Sequence, residues 1–220
     1  MQNSNVSIDE SIYQRIVNGE PFILDRYGHF YPLAEWPTFK DGNVPFHLLP
    51  GSFNPLHQGH TVIYRGMPFY EQYSFGVSMM EGGRFGTGAR AYELSISRFN
   101  KPTLNRTELE QRLGQFKNAC VLITNAPTFV EKIAAISNAS RKPKTIVYHI
   151  GSDVAVKLYE MIDKTMLSAL GASFIVYPRK QNGIIQTPPK HPKFEVYDSW
   201  VDQGFSSTAI RAGSTLGVLT

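Results

Sequence analysis

Two histidines, His57 and His60, stand three residues apart in the stretch Leu49-Pro50-Gly51-Ser52-Phe53-Asn54-Pro55-Leu56-His57-Gln58-Gly59-His60. An apolar run from Phe46 to Leu49 ends at a Pro-Gly break, a polar turn follows, and the histidines open a segment that reads as helix. Such a pair lies on one helical face, at the end where unpaired backbone N–H groups point outward. That end attracts anions, phosphate above all. Gly51 and Gly59 remove side chains where a ligand would come close. The chemistry on offer is the holding of phosphates with two imidazoles facing them.

A second group lies near the C-terminus, in Phe205-Ser206-Ser207-Thr208-Ala209-Ile210-Arg211. Small hydroxyl residues at a helix start offer side-chain and backbone donors, and Arg211 about one turn on supplies a bidentate cation. Together they suit a triphosphate. A third group, His149-Ile150-Gly151-Ser152-Asp153, closes another apolar run. There Gly151 permits close approach of a ligand and the Asp153 carboxylate can accept hydrogen bonds from it; alternatively, Gly151 ends a strand and Asp153 caps the next helix.

The string Gly51 to His60 resembles the HxGH signature of the nucleotidylyltransferase superfamily, lead-in included. That superfamily contains the nicotinamide mononucleotide and phosphopantetheine adenylyltransferases. Phe205 to Arg211 is similar to its ISSTxIR motif, with Phe205 in place of the usual Ile, and follows the first motif in the family's order and spacing. In related enzymes a Gly-x-Asp such as Gly151-Ser152-Asp153 faces the nucleotide. The resemblance implies direct transfer: a phosphate oxygen of an acceptor attacks the α-phosphorus of ATP and pyrophosphate leaves. It implies that His57 and His60 stabilise charge on the α- and β-phosphates, helped by backbone N–H groups around Ser52 and Phe53. Ser206, Ser207, Thr208 and Arg211 would hold the β- and γ-phosphates, with Mg²⁺ bridging phosphate oxygens.

The Ser-Ser-Thr-x-Ile-Arg form is more similar to the ATP users than to the CTP users. Gly-Ser-Phe-Asn-Pro-Leu-His and Gly-Ser-Asp look most like the enzymes that take nicotinamide or nicotinate mononucleotide and make NAD or its deamido form. Two departures stand against this: an extra N-terminal segment, and no Trp after Asp153, since Trp36 and Trp200 lie elsewhere. A phosphopantetheine or CTP-dependent acceptor therefore stays open, as does a nucleotide-binding sensor with little turnover. The intact His57, His60, Ser207 and Arg211 weigh against the sensor.

Acceptor contacts are expected at the ends of two further strands: Glu93 and Lys101 around one, Thr124 and Asn125 at the other, with ordinary turn chemistry as the alternative. Arg179, in Tyr177-Pro178-Arg179-Lys180, falls where some relatives place a phosphate-contacting base, a solvent-exposed pair being the other reading. The glycine-rich stretch from Gly82 to Gly88 precedes a strand, the wrong context for a dinucleotide fingerprint or a P-loop.

The elements that must position these groups can be read from periodicity. Ala91–Ser97, Ala119–Thr124, Thr145–Ile150, Ala172–Tyr177 and Phe194–Tyr197 join Phe46–Leu49 as strands. Helices fall between them, at Gly59 to Pro68, from a cap at Asn105 or Thr107 through Phe116, at Thr128–Ile136, and as one long helix at Val154–Leu170. Alternating strands and helices predict an α/β fold: a doubly wound, Rossmann-like, mostly parallel sheet of five to six strands, with ligands beyond the strands' carboxyl ends. Residues 1–44 read as an N-terminal extension before a domain spanning 45–220. In that extension Ile8, Ile12 and Ile16 mark a short helix capped by Ser7, and Phe22–Asp25 with His29–Leu33 could pair as a hairpin.

Hydrophobic residues at 42% and charged residues at 18% describe an ordinary globular chain. The formal charge of +4 suits small phosphorylated ligands and is too weak to predict a nucleic-acid partner. The basic run Arg141-Lys142-Pro143-Lys144 reads as a solvated loop. A single cysteine, Cys120, rules out an intrachain disulfide and a cysteine metal cluster. His29, His47, His149 and His191 show no metal-ligand spacing. No apolar stretch nears membrane-spanning length and no signal peptide is evident, so a cytoplasmic location without membrane partner is expected. Self-association is left open.

Overall fold

Near-continuous apolar runs favour strands covered on both faces, and in the computed structural model these runs become the centre of one sheet. The structure describes residues 6–39, 44–67, 88–97, 101–139, 143–181, 184–197, 202, 204, 210, 211 and 213. Ser206, Ser207 and Thr208, most of the glycine-rich stretch before Gly88, Arg141, Lys142 and Trp200 lie outside the described residues.

Ten strands occur among the described residues: β1 Phe22–Leu24, β2 Phe30–Pro32, β3 Phe46–Pro50, β4 Ala89–Ser95, β5 Val121–Thr124, β6 Ile146–Gly151, β7 Ala172–Tyr177, β8 Lys180–Gln181, β9 Ile184–Ile185 and β10 Phe194–Val196. The helices are α1 Glu10–Val17, α2 Gln58–Gly66, α3 Arg106–Leu113, α4 Phe129–Ser137, α5 Ser152–Met161 and α6 Lys164–Ala169. Eight strands form one mixed sheet in the order β10-β7-β6-β3-β4-β5-β1-β2. The first six in that order run parallel. They are the six strands expected from periodicity. The N-terminal hairpin raises the total to eight, because β1 pairs antiparallel with both β5 and β2.

Side chains alternate across the strands, so two cores form. Phe46, Leu48, Tyr148 and Phe174 pack on one face with Ile133, Ile136, Leu158 and Leu167 of α4, α5 and α6. Leu49, Tyr92, Leu94 and Ile123 pack on the other with Ile16, Tyr64, Leu109 and Leu113 of α1, α2 and α3. Trp36 is spent in the first core, edge-on to Phe39 with ring centroids 5.0 Å apart.

Several boundaries differ from those expected, each for a local reason. The long helix expected over 154–170 is two. Asp163 accepts from the N–H groups of Thr165 and Met166 and starts a new helix there. Asp9, not Ser7, caps α1, and Asn105 caps α3 in a reciprocal bond with Glu108. Helix α3 stops at Leu113, short of Phe116. The small hairpin β8–β9 follows Arg179, where no strand was expected. No helix among the described residues is long and apolar enough to cross a membrane.

Candidate functional site

The carboxyl ends of β3, β4 and β6 open onto a cavity of about 320 Å³, a size suited to a small-molecule site. Its lining draws Gly51, Ser52 and His57 from the turn after β3, Gly59 and His60 from the start of α2, and Gly151 and Arg179 from the ends of β6 and β7. Ser95, Ser97, Phe129 and Lys132 line it from the β4 and β5 side.

The turn is held from beneath by α3 and the residues just after it. Buried Arg112 donates to the Ser52 carbonyl at 2.6 Å. Gln115 donates to the Phe53 carbonyl at 3.1 Å and accepts from Leu56 N–H at 2.8 Å. Phe53 sits at φ 44°, left-handed backbone for a residue with a Cβ. Its ring is fully buried, edge-on to His60, Tyr92 and Phe116 at 5.0, 5.2 and 5.1 Å. A Cβ on Gly51 would lie 2.8 Å from that ring. Gly51 lines the cavity, but the space beside its α-carbon belongs to Phe53 and not to a ligand. The peptide between Asn54 and Pro55 is cis.

His57 is the N-cap of α2 and His60 its third residue. Their rings stack at 3.7 Å with 25° between planes. The His57 backbone N–H donates to His60 Nδ1 at 3.3 Å, so the His60 ring proton sits on Nε2. Burial lowers His57 to about 4, assisted by the positive charge of Arg179. Burial lowers His60 to about 3, with His57 and Arg179 adding to it. Both imidazoles are therefore neutral donors at pH 7 in the free protein.

A pH dependence follows. These folded values lie below the unfolded value of 6.5, so the unfolded chain binds more protons between them. The stability that goes with neutral burial is complete above that value and is lost as pH falls towards about 4 and about 3. Each ring contributes a loss of up to ~1.4 kcal/mol per pH unit in that window. The urea midpoint is expected to drop between about pH 7 and about pH 5, and to drop less in His57→Gln. Equal drops in the two proteins would contradict neutral burial of His57.

Arg211, 157 residues from Asn54, donates to the Asn54 carbonyl and so reaches the same turn. Gly151 caps α5, and Asp153 is the second residue of that helix, not its cap. A Cβ on Gly151 would lie 2.5 Å from Asp153 Oδ1 and 2.6 Å from Arg179 Cδ, so glycine lets those two side chains close over it. Arg179 Nη1 stands 4.0 Å from Asp153 Oδ1, and its backbone N–H donates to Ser152 Oγ at 2.9 Å. Asp202 also lines the cavity, with Oδ2 accepting from Lys180 N–H at 2.6 Å.

The expected acceptor residues are placed unevenly. Lys101 is exposed and does not line the cavity. Glu93 and Thr124 are fully buried, with Thr124 Oγ1 donating to Glu93 Oε1 at 2.6 Å. Asn125 accepts from Ser97 Oγ and donates to the Val17 carbonyl at 2.6 Å, which ties the end of α1 to the cavity wall. Lys132 and Arg112 have little to mark them in the sequence. A basic residue on an otherwise apolar helix stripe was the only signal for Lys132, and nothing local marked Arg112. Among the described residues, no three His, Cys, Asp or Glu side chains converge as a metal cage.

No protein-family model matches the chain, and no curated protein matches it significantly.

Proposed function

We propose that the chain is an adenylyltransferase that moves AMP from ATP to the phosphate of a pyridine mononucleotide, nicotinamide or nicotinate, and releases pyrophosphate. On this reading the sheet is of the doubly wound, Rossmann-like kind and the chain belongs to the HxGH nucleotidylyltransferases. The observation that carries it is the stacked pair His57 and His60 on the cavity wall at the carboxyl end of β3. Arg179 shares that wall, and Arg211 meets the same turn.

An acceptor phosphate oxygen attacks the α-phosphorus while the bond from that phosphorus to the bridging oxygen breaks, and pyrophosphate carries off the electron pair. A phosphate nucleophile needs little activation near neutral pH, so positioning and charge stabilisation do most of the catalysis. His60 Nε2–H donates to oxygens that gain charge. Arg179 and Arg211 oppose the charge of the phosphates. Mg²⁺ would enter with the nucleotide and supply further positive charge against the phosphates, since among the described residues no carboxylate or histidine cage offers to hold it.

Pyrophosphate release from Mg-ATP tests the proposal, with nicotinamide mononucleotide, nicotinate mononucleotide and phosphopantetheine as acceptors and CTP as an alternative donor. Release that needs ATP and a pyridine mononucleotide supports it. Silence with every pair removes it. Arg211→Ala is expected to raise KM for ATP by about tenfold to a hundredfold, the range of a lost bond to a charged donor. Unchanged ATP kinetics would take Arg211 out of the phosphate site.

A further inference from the structure

A buried ion pair stands behind the wall that faces the histidines. Lys132, from the apolar stripe of α4, reaches Glu93 of β4, with Nζ 2.5 Å from Oε2. Glu93 is fully buried and the Lys132 side chain is 11% exposed, and Lys132 is among the residues that line the cavity. Thr124 Oγ1 holds the other carboxylate oxygen. Among the described residues Glu93 is the hydrogen-bond partner of the Lys132 ammonium, which carries three donors. The same ammonium stands 5.7 Å from the centre of the Phe129 ring, which also lines the cavity. Ser95 and Ser97 complete this wall.

An ion pair withdrawn from water is a costly way to fill space, and apolar residues of similar volume would serve the fold as well. Its place on the cavity gives it a different use. The wall combines an aromatic ring, an ammonium and two serines, while its net charge is zero because Glu93 matches Lys132.

We infer that Lys132, poised by Glu93, selects the acceptor: it takes a planar ring bearing an uncharged carbonyl group, such as a carboxamide, and disfavours the corresponding carboxylate. The inference rests on the adenylyl-transfer reading above. Phe129 offers its face to the ring, Lys132 donates to the carbonyl oxygen, and the serine oxygens can accept from an amide N–H. A carboxylate in the same place gives up its water to meet a cation already matched by Glu93, and it lies near the Glu93 charge. Glu93 is thus a positioning residue, and selectivity is what reports on it.

The test is pyrophosphate release with nicotinamide mononucleotide against nicotinate mononucleotide in wild type, Glu93→Gln and Glu93→Gln/Lys132→Met. Thermal melts establish that each variant is folded. Wild type is expected to favour the amide by about tenfold or more in kcat/KM, and Glu93→Gln to move that ratio towards the acid by about tenfold, chiefly through KM. The double variant leaves no unmatched charge in the wall. It is expected to raise KM for the amide by about tenfold with a smaller change in kcat.

A wild-type preference for the acid overturns the inference with no variant needed. So does an unmoved ratio in folded Glu93→Gln or an unmoved KM in the double variant, and in each of these cases adenylyl transfer itself still stands. Silence with both mononucleotides removes that reading and the inference with it.

Discussion

His60→Ala is expected to lower pyrophosphate release by about a hundredfold to a thousandfold, the usual consequence of removing a preorganised donor to developing charge. The ring lines the cavity, is neutral, and carries its proton on Nε2 because Nδ1 is engaged by the His57 N–H. Truncation removes that donor and also leaves the His57 N–H without its acceptor, at a cost of about 1 kcal/mol in stability. His60→Asn separates the two effects. Its side-chain oxygen falls near the position of Nδ1 and restores the bond to the His57 N–H, while nothing stands where Nε2 was. Asn is expected to melt close to wild type and to be nearly as inactive as Ala. An active Asn variant would show that the contribution of His60 is the helix cap.

Gly51→Ala is the second large effect, and it works without removing any functional group. The added Cβ would stand 2.8 Å from two carbons of the Phe53 ring. That ring cannot withdraw: it is fully buried, with His60, Tyr92 and Phe116 around it and its backbone already at positive φ. The strain is expected to cost about 1–3 kcal/mol, roughly 2–4 °C of melting temperature per kcal/mol for a chain of this size. Any outward shift of Phe53 moves the His60 ring packed on it, and displacement near 1 Å can cost about a hundredfold in rate. Gly66→Ala is the matched control. It lies in the same helix as His60, and a Cβ there meets nothing within 4 Å. That change is expected to leave both melting temperature and rate near wild type or slightly to stabilise the helix. If Gly51→Ala behaves like Gly66→Ala, the Phe53 ring does not hold the turn.

The pattern of residues carried much of this architecture. Apolar runs separated by helical periods are enough to specify parallel strands covered on both faces, since burial on two sides leaves no polar alternation to read. The turn with His57 and His60 was legible because Pro, Gly and His at fixed spacing impose their own local geometry. The hairpin at residues 22–33 was legible too, but its attachment was not. That β1 pairs with β5 depends on which sheet edge stands open, a property of the assembled molecule.

What local sequence cannot carry is partnership across distance. His57 and His60 are nominated by sequence, yet their low pKa values come from burial, for His60 also from His57, and from Arg179 at the end of another strand. Gly51 is demanded by an aromatic ring, a fact visible only once Phe53 turns back over it. Glu93 and Thr124 were singled out for their chemistry, and the fold pairs both inward and gives the cavity Lys132 in their place. Arg112 holds the carbonyl of Ser52 from a helix 60 residues along the chain. Local propensity and periodicity act over one or two turns, so they fix elements and single motifs. Desolvation and hydrogen-bond satisfaction act on whichever groups packing brings together, and only the tertiary structure makes that selection.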